Sequence, residues 1–134
     1  QFLRIEKLLG NKRHTFLRFL ANLGDQPGLQ LNQENEEILN GAWATAVVFS
    51  EETGITRDLA IDAMAKQGIP LRPFFYPLSS LPAYSGNMTG GNDRCPIAYR
   101  NSEYGIHLPC SMNLTNDQID YVSGAIIEML TEHA

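Results

Sequence analysis

The chain has 134 residues, 43% of them hydrophobic, with a mean hydropathy of −0.20 and a formal net charge of −5. That is material for one domain with one core, and no apolar run approaches the roughly 18 residues a membrane helix needs. An acidic chain with half of its ten basic residues in one helical segment carries no nucleic-acid footprint, so binding to membranes or nucleic acids is not expected. Cys95 and Cys110 form no CxxC pair and are too few for a disulfide framework; they read as reduced thiols of a cytoplasmic protein.

Gln1 already lies within a helical pattern and no methionine precedes it, so the sequence reads as a piece of a longer polypeptide. Ile5, Leu8, Leu9, Phe16, Phe19, Leu20 and Leu23 recur at helical spacing, with Arg4, Lys7, Lys12, Arg13 and Arg18 on other faces and Gly24 as a stop. Gly10-Asn11 interrupts that pattern weakly. The polar stretch 30–40 predicts a short strand and a loop. "AWATAVVFS" (42–50) predicts a continuous buried strand with Trp43 in the core.

Thr56 is placed to cap a second helix, with Asp58 in its first turn, Leu59, Ala60, Ala63 and Met64 inward, and Gly68-Ile69 as its C-terminal signature. A strand over 71–75 then enters "RPFFYPLSSLPAY" (72–84). "SGNMTGGNDR" (85–94) reads as a flexible polar tip. Cys95-Pro96 opens a short helix ending at Gly105, and "IHLP" (106–109) is a short strand. Thr115 and Gln118 form a capping box for the last helix, Leu114 can staple onto Ile119, and Ile119, Val122, Ile126 and Leu130 share its inner face. That box explains Asn113-Leu114-Thr115 better than a glycosylation sequon does; Asn87-Met88-Thr89 matches the sequon by pattern alone. The fold class is α+β, a small mixed or antiparallel sheet with helices mainly on one face.

Chemistry concentrates in residues 72–84. Pro73, Pro77 and Pro82 forbid a central strand or a helix interior, which leaves an edge strand running into an ordered loop. Arg72, among aromatic rings, is suited to bidentate capture of a carboxylate or phosphate; a surface arginine stacked on a ring is the equal alternative. Phe74 or Phe75 could stack beneath a polyhydroxylated ligand while Tyr76, Ser79, Ser80 and Tyr84 hydrogen-bond it. None of these is a nucleophile with a partner, so no catalytic residue is assigned. His14, His107 and His133 are scattered without metal-ligand spacing, and Gly90-Gly91 is no phosphate loop.

"GIPLRPFFYPLSSLPAY" (68–84) followed by "CPIAYRNSEYGIHLPCSMNLTNDQIDYV" (95–122) resembles the C-terminal part of the sugar aminotransferases of the DegT/DnrJ/EryC1/StrS family. The likeness extends to the opening helix with "KRHTFLRFLANL". It implies that residues 1–134 are a single C-terminal small domain of a fold-type-I, pyridoxal-phosphate enzyme that moves an amino group from glutamate onto a keto-sugar nucleotide. Such enzymes are homodimers, and their small domain closes over a cofactor held mainly by a large domain. The Schiff-base lysine belongs to that large domain, and Lys7, Lys12 and Lys66 lack its glycine-rich motif. No cofactor and no activity are therefore expected of this chain alone. Many relatives carry histidine where Ser79 stands, and "PLSSLPAY" is similar to the perosamine-synthase-like members, which act on a 4-keto-6-deoxy sugar. The alternatives are a freestanding α+β binding or interaction domain and a dehydratase of the same family with histidine in place of the lysine.

Overall fold

The computed structural model describes residues 1–84 and 94–133; the polar tip at 85–94 and the Asn87 triplet fall almost wholly outside them. Helix α1 (Ile5–Leu23) runs through Gly10-Asn11 without a break. Strands β1 (Leu29–Leu31) and β2 (Ala46–Phe49) follow, then α2 (Arg57–Lys66), β3 (Arg72–Pro73), α3 (Pro96–Tyr104), β4 (Gly105–His107) and α4 (Asn116–Glu132). The sheet order is β1-β2-β4-β3 and every neighbouring pair is antiparallel.

Local chemistry sets the helix ends. Thr56 Oγ1 accepts from the Leu59 amide at 3.3 Å, satisfying one of the donors a helix start leaves open. At the other end of α2, Gly68 takes φ +73° while its amide and that of Ile69 return to the Ala65 and Met64 carbonyls. Thr115 and Gln118 form the full reciprocal box, with Thr115 N donating to Gln118 Oε1 at 3.0 Å and Gln118 N to Thr115 Oγ1 at 3.2 Å.

Strands β2 and β3 are both shorter than the sequence predicts. Pro73 has no N–H to give, so β3 stops there, although Phe74 N still reaches Gly105 O at 3.1 Å. The apolar run at 42–50 enters the ladder only at Ala46, because Ala42 adopts φ 48°, a left-handed turn that delays the extended backbone. Trp43 is consequently not a core residue: it is 66% exposed, and the flanking Ala42 and Ala44 occupy the buried positions.

One face of the sheet carries the core. Val47, Phe49, Ile106 and Leu108 meet Phe19 and Leu23 of α1, Ala60 and Met64 of α2, and Ile119, Val122, Ile126 and Met129 of α4. The periodicity of α1 is only half used. Phe16, Phe19 and Leu23 are buried, while Ile5 and Leu9, together with Phe2 and Leu3 before the helix, are exposed. Helices α1 and α4 are also joined at their polar margin, where Arg18 Nε and Asn22 Nδ2 both donate to Asp120 Oδ1 at 2.8 Å. Those bonds from Arg18 and Asn22 hold the Asp120 carboxyl below the usual carboxylate range. Among the described residues no helix is long and apolar enough to cross a membrane.

Thr115→Ala is expected to lower unfolding stability by about 1 kcal/mol in a denaturant titration, the ordinary cost of losing an N-cap. Phe19→Ala should cost about 3–5 kcal/mol as a core truncation, and Trp43→Ala far less than that. Equal losses for Phe19→Ala and Trp43→Ala would contradict the placement of Trp43.

Candidate functional site

A strand sends successive side chains to opposite faces, and paired residues on neighbouring strands share a face. Val47 pairs with Ile106 on the core side; Ala46, His107 and Arg72, which pair in turn, therefore share the other side. The helices of the core leave this outer face open, and aromatic rings gather on it. Phe74 stacks on the His107 imidazole at 4.7 Å and 24°, Trp43 meets it edge-on at 5.8 Å, and Phe75 lies tilted at 6.4 Å. Gly105 makes the stack possible, since a Cβ there would come within 2.6 Å of the Phe74 ring. Burial among the rings pushes the His107 pKa below the ordinary histidine value, so the imidazole is neutral at pH 7.

Trp43, Arg72, His107, Leu108, Cys110 and Ser111 line a cavity of about 450 Å³ on this face. Its rim is fixed by cations from α1. Lys12 Nζ donates to the backbone carbonyls of Trp43 at 3.1 Å and Cys110 at 2.6 Å, tying two walls of the cavity together. Arg13 anchors the preceding loop through Asn40 O at 3.3 Å and Glu34 Oε2 at 2.6 Å. The Arg72 guanidinium makes no hydrogen bond or ion pair among the described residues, although the Arg72 backbone pairs with His107 in the ladder.

The rest of the 72–84 segment is held from within. The Arg57 guanidinium sits 4.5 Å over the Tyr76 ring, donates to Tyr76 Oη at 3.1 Å, and reaches Ser102 O at 2.8 Å and Ser102 Oγ at 3.2 Å. Ser79 Oγ is 2.9 Å from Tyr99 Oη, and Ser80 Oγ donates to Pro77 O at 2.7 Å. Phe75 is 81% exposed and Tyr84 about half exposed. The structure thus brings Arg72 and Phe75 to His107, Tyr76 to Arg57 and Ser79 to Tyr99, while Ser80 closes its own turn.

Sequence reasoning missed Arg57, Tyr99, Lys12 and the use of His107. For Arg57 there was a signal: a cation in the positively polarised first turn of a helix is unfavourable unless a tertiary partner holds it. His107 was legible from the alternation in "GIHL", once Ile106 is assigned to the core.

No lysine here suits a Schiff base with pyridoxal phosphate. Lys12 is committed to two carbonyls, and Lys7 and Lys66 are exposed on helices away from the ring cluster. The described residues do not fit the covalent half of such a cofactor site.

Residues 1–127 match the DegT/DnrJ/EryC1/StrS aminotransferase family. The chain is 27% identical over 126 residues to the GDP-perosamine synthase of Vibrio cholerae, a match covering 94% of this chain and 34% of that protein. It is 27% identical over 104 residues to the GDP-perosamine synthase of Escherichia coli O157:H7, covering 78% and 27%. The chain therefore spans about a third or less of the curated relatives it matches. Among solved structures, Spr1654 from Streptococcus pneumoniae in its PMP form superimposes with a TM-score of 0.86 at 22% identity, over 100% of this chain and 33% of that one. DesI in the presence of its TDP-sugar product gives 0.85 at 23% identity, over 97% and 33%. At these identities the structures establish the shared fold.

Trp43 is the chain's one tryptophan and touches His107, so its fluorescence reports that imidazole. The emission should follow a titration with its midpoint below the ordinary value of about 6.5, and His107→Asn should abolish it. Because the folded pKa is depressed, the associated stability is present above the unfolded value and is lost as pH falls through the folded one. A midpoint above 6.5, or an unchanged curve in His107→Asn, would refute the assignment.

Proposed function

Because the chain belongs to the DegT/DnrJ/EryC1/StrS aminotransferase family, we propose that it is the C-terminal domain of a pyridoxal-phosphate-dependent sugar aminotransferase. The enzyme moves an amino group from glutamate to the keto carbon of a nucleotide-linked sugar, with a 4-keto-6-deoxy sugar of the perosamine type as acceptor. The observation that carries this reading is a match along 94% and 78% of the chain to two proteins about three times its length, both of them GDP-perosamine synthases.

In this reading the domain supplies a wall of the active site. Pyridoxal phosphate, when bound, supplies the electron sink for the amino-group exchange, and the lysine that anchors it belongs to the remaining part of the polypeptide. The segment of Arg72, Phe75, Tyr76, Ser79, Ser80 and Tyr84 faces the nucleotide sugar. Its backbone is restricted by three prolines and its side chains are braced by Arg57 and Tyr99, so little freedom is lost when substrate docks. The exposed Phe2, Leu3, Ile5 and Leu9, with Ile38 and Leu39, provide apolar surface for the remaining part to cover. The complete enzyme acts as a homodimer, and residues 1–134 alone catalyse nothing.

The test is an assay of the complete polypeptide carrying this chain, with glutamate and a GDP-linked 4-keto-6-deoxy sugar, read by mass spectrometry. A glutamate-dependent amino sugar is expected. Phe75→Ala should depress kcat/KM by about tenfold, the loss of one aromatic contact of ~1–1.5 kcal/mol. Its melting temperature should not change, since the ring is 81% exposed. No amination with any keto-sugar nucleotide would overturn the reading; full activity of Phe75→Ala would remove that residue from the wall.

A further inference from the structure

We infer that the cleft between Trp43, Arg72 and His107 is an oxyanion site, taking a carboxylate or phosphate group on the guanidinium with the indole alongside. The inference deepens the reading in which Arg72 faces the substrate of the complete enzyme, but it is argued from the charges and partners within this chain.

The cleft is positive in an acidic molecule. The chain carries 15 aspartates and glutamates against 10 lysines and arginines, yet among the described residues no carboxylate lines this cavity. Arg72 is on its wall, and the Lys12 ammonium lies at the rim, bonded to the Trp43 and Cys110 carbonyls. Lys12 is committed to those carbonyls, so this basic side chain adds to the field of the cleft without competing for the ligand. The other arginines with defined partners are Arg13 on Glu34, Arg18 on Asp120 and Arg57 on Asp58, Ser102 and Tyr76. Arg72 has none among the described residues and lines a cavity.

A guanidinium presents its donors as a planar fork, which matches two oxygens of a carboxylate or phosphate. The remainder of the lining is apolar or weakly polar: Ala44, Pro70, Leu71, Leu108 and Pro109, with Cys110 and Ser111. A few polar groups on an apolar wall is the usual composition of a small-molecule site. Position favours the same conclusion. Arg72 and His107 are directly paired across β3 and β4, so their side chains start from neighbouring points on one face. His107 is held by Phe74 and Trp43, and being neutral it leaves the charge of the wall to Arg72.

The ligand is any molecule that carries such an oxyanion, and phosphate and carboxylate sources are separated by titrating each. Inorganic phosphate and glutarate are added separately to the 134-residue chain at constant ionic strength set with chloride, after a cooperative melt has confirmed that the chain is folded. Emission of Trp43 is the readout. A saturable change is expected with at least one of the two anions, and the tighter one identifies the source. Arg72→Gln should weaken it at least tenfold without moving the melt, and Arg72→Lys should recover only part of the loss. Saturating anion should also raise the pH midpoint of the Trp43 signal, because a negative charge beside the imidazole favours its protonated form. A response no larger than that of chloride, or equal affinity in Arg72→Gln, would overturn the inference. Neither result depends on whether the complete polypeptide aminates a sugar.

Discussion

Strand β4 is three residues long, and the two-residue alternation of a strand divides it between two tasks. Ile106 is fully buried against the helices, which forces His107 to the opposite face. Everything on the outer face follows from that division. His107 defines where Phe74 can stack, Gly105 leaves room for the ring, and antiparallel pairing delivers Arg72 to the same place. A slip of one residue would bury the imidazole in the core and expose Ile106, so the core and the cleft are specified by the same register.

Short strands contribute few ladder bonds, and the outer loops depend on long cationic side chains for their positions. Lys12 ties the Trp43 and Cys110 segments, Arg13 ties the loop around Asn40, and Arg57 ties the Tyr76 segment to α3. Each is a charge-assisted bond to a backbone or side-chain oxygen, stronger than a neutral one and directional. The basic residues of α1 thus have a mechanical role that a solvated helix face would not. They carry order from the hydrophobic core to the face that the proposed substrate meets.

The helix boundaries were legible because their chemistry is local. Thr56, Thr115 with Gln118, Gly68 and Pro96 each act on backbone groups within a few residues of themselves, and each is found in its expected place. Trp43 was not legible, since its exposure depends on the left-handed turn at Ala42 and on which faces of the neighbouring strands meet helices. The candidate segment at 72–84 was legible as a rigid, ring-rich loop from its prolines. Its internal hydrogen bonds were not, because Arg57 and Tyr99 come from distant parts of the sequence. Family membership was legible from ordered motifs, which preserve more information than composition or period.

Under the proposed function, the outer face of the sheet, with Arg72 and the segment that follows it, is turned toward the substrate of the complete enzyme. A structure of the complete polypeptide with a bound nucleotide sugar tests this most directly. The expected result has the guanidinium of Arg72 or a side chain of the 75–84 segment within hydrogen-bonding or stacking distance of the ligand, while the α1, α2 and α4 side of the sheet remains internal to the domain. A ligand held wholly by other parts of the polypeptide, with this face open to solvent, would contradict it.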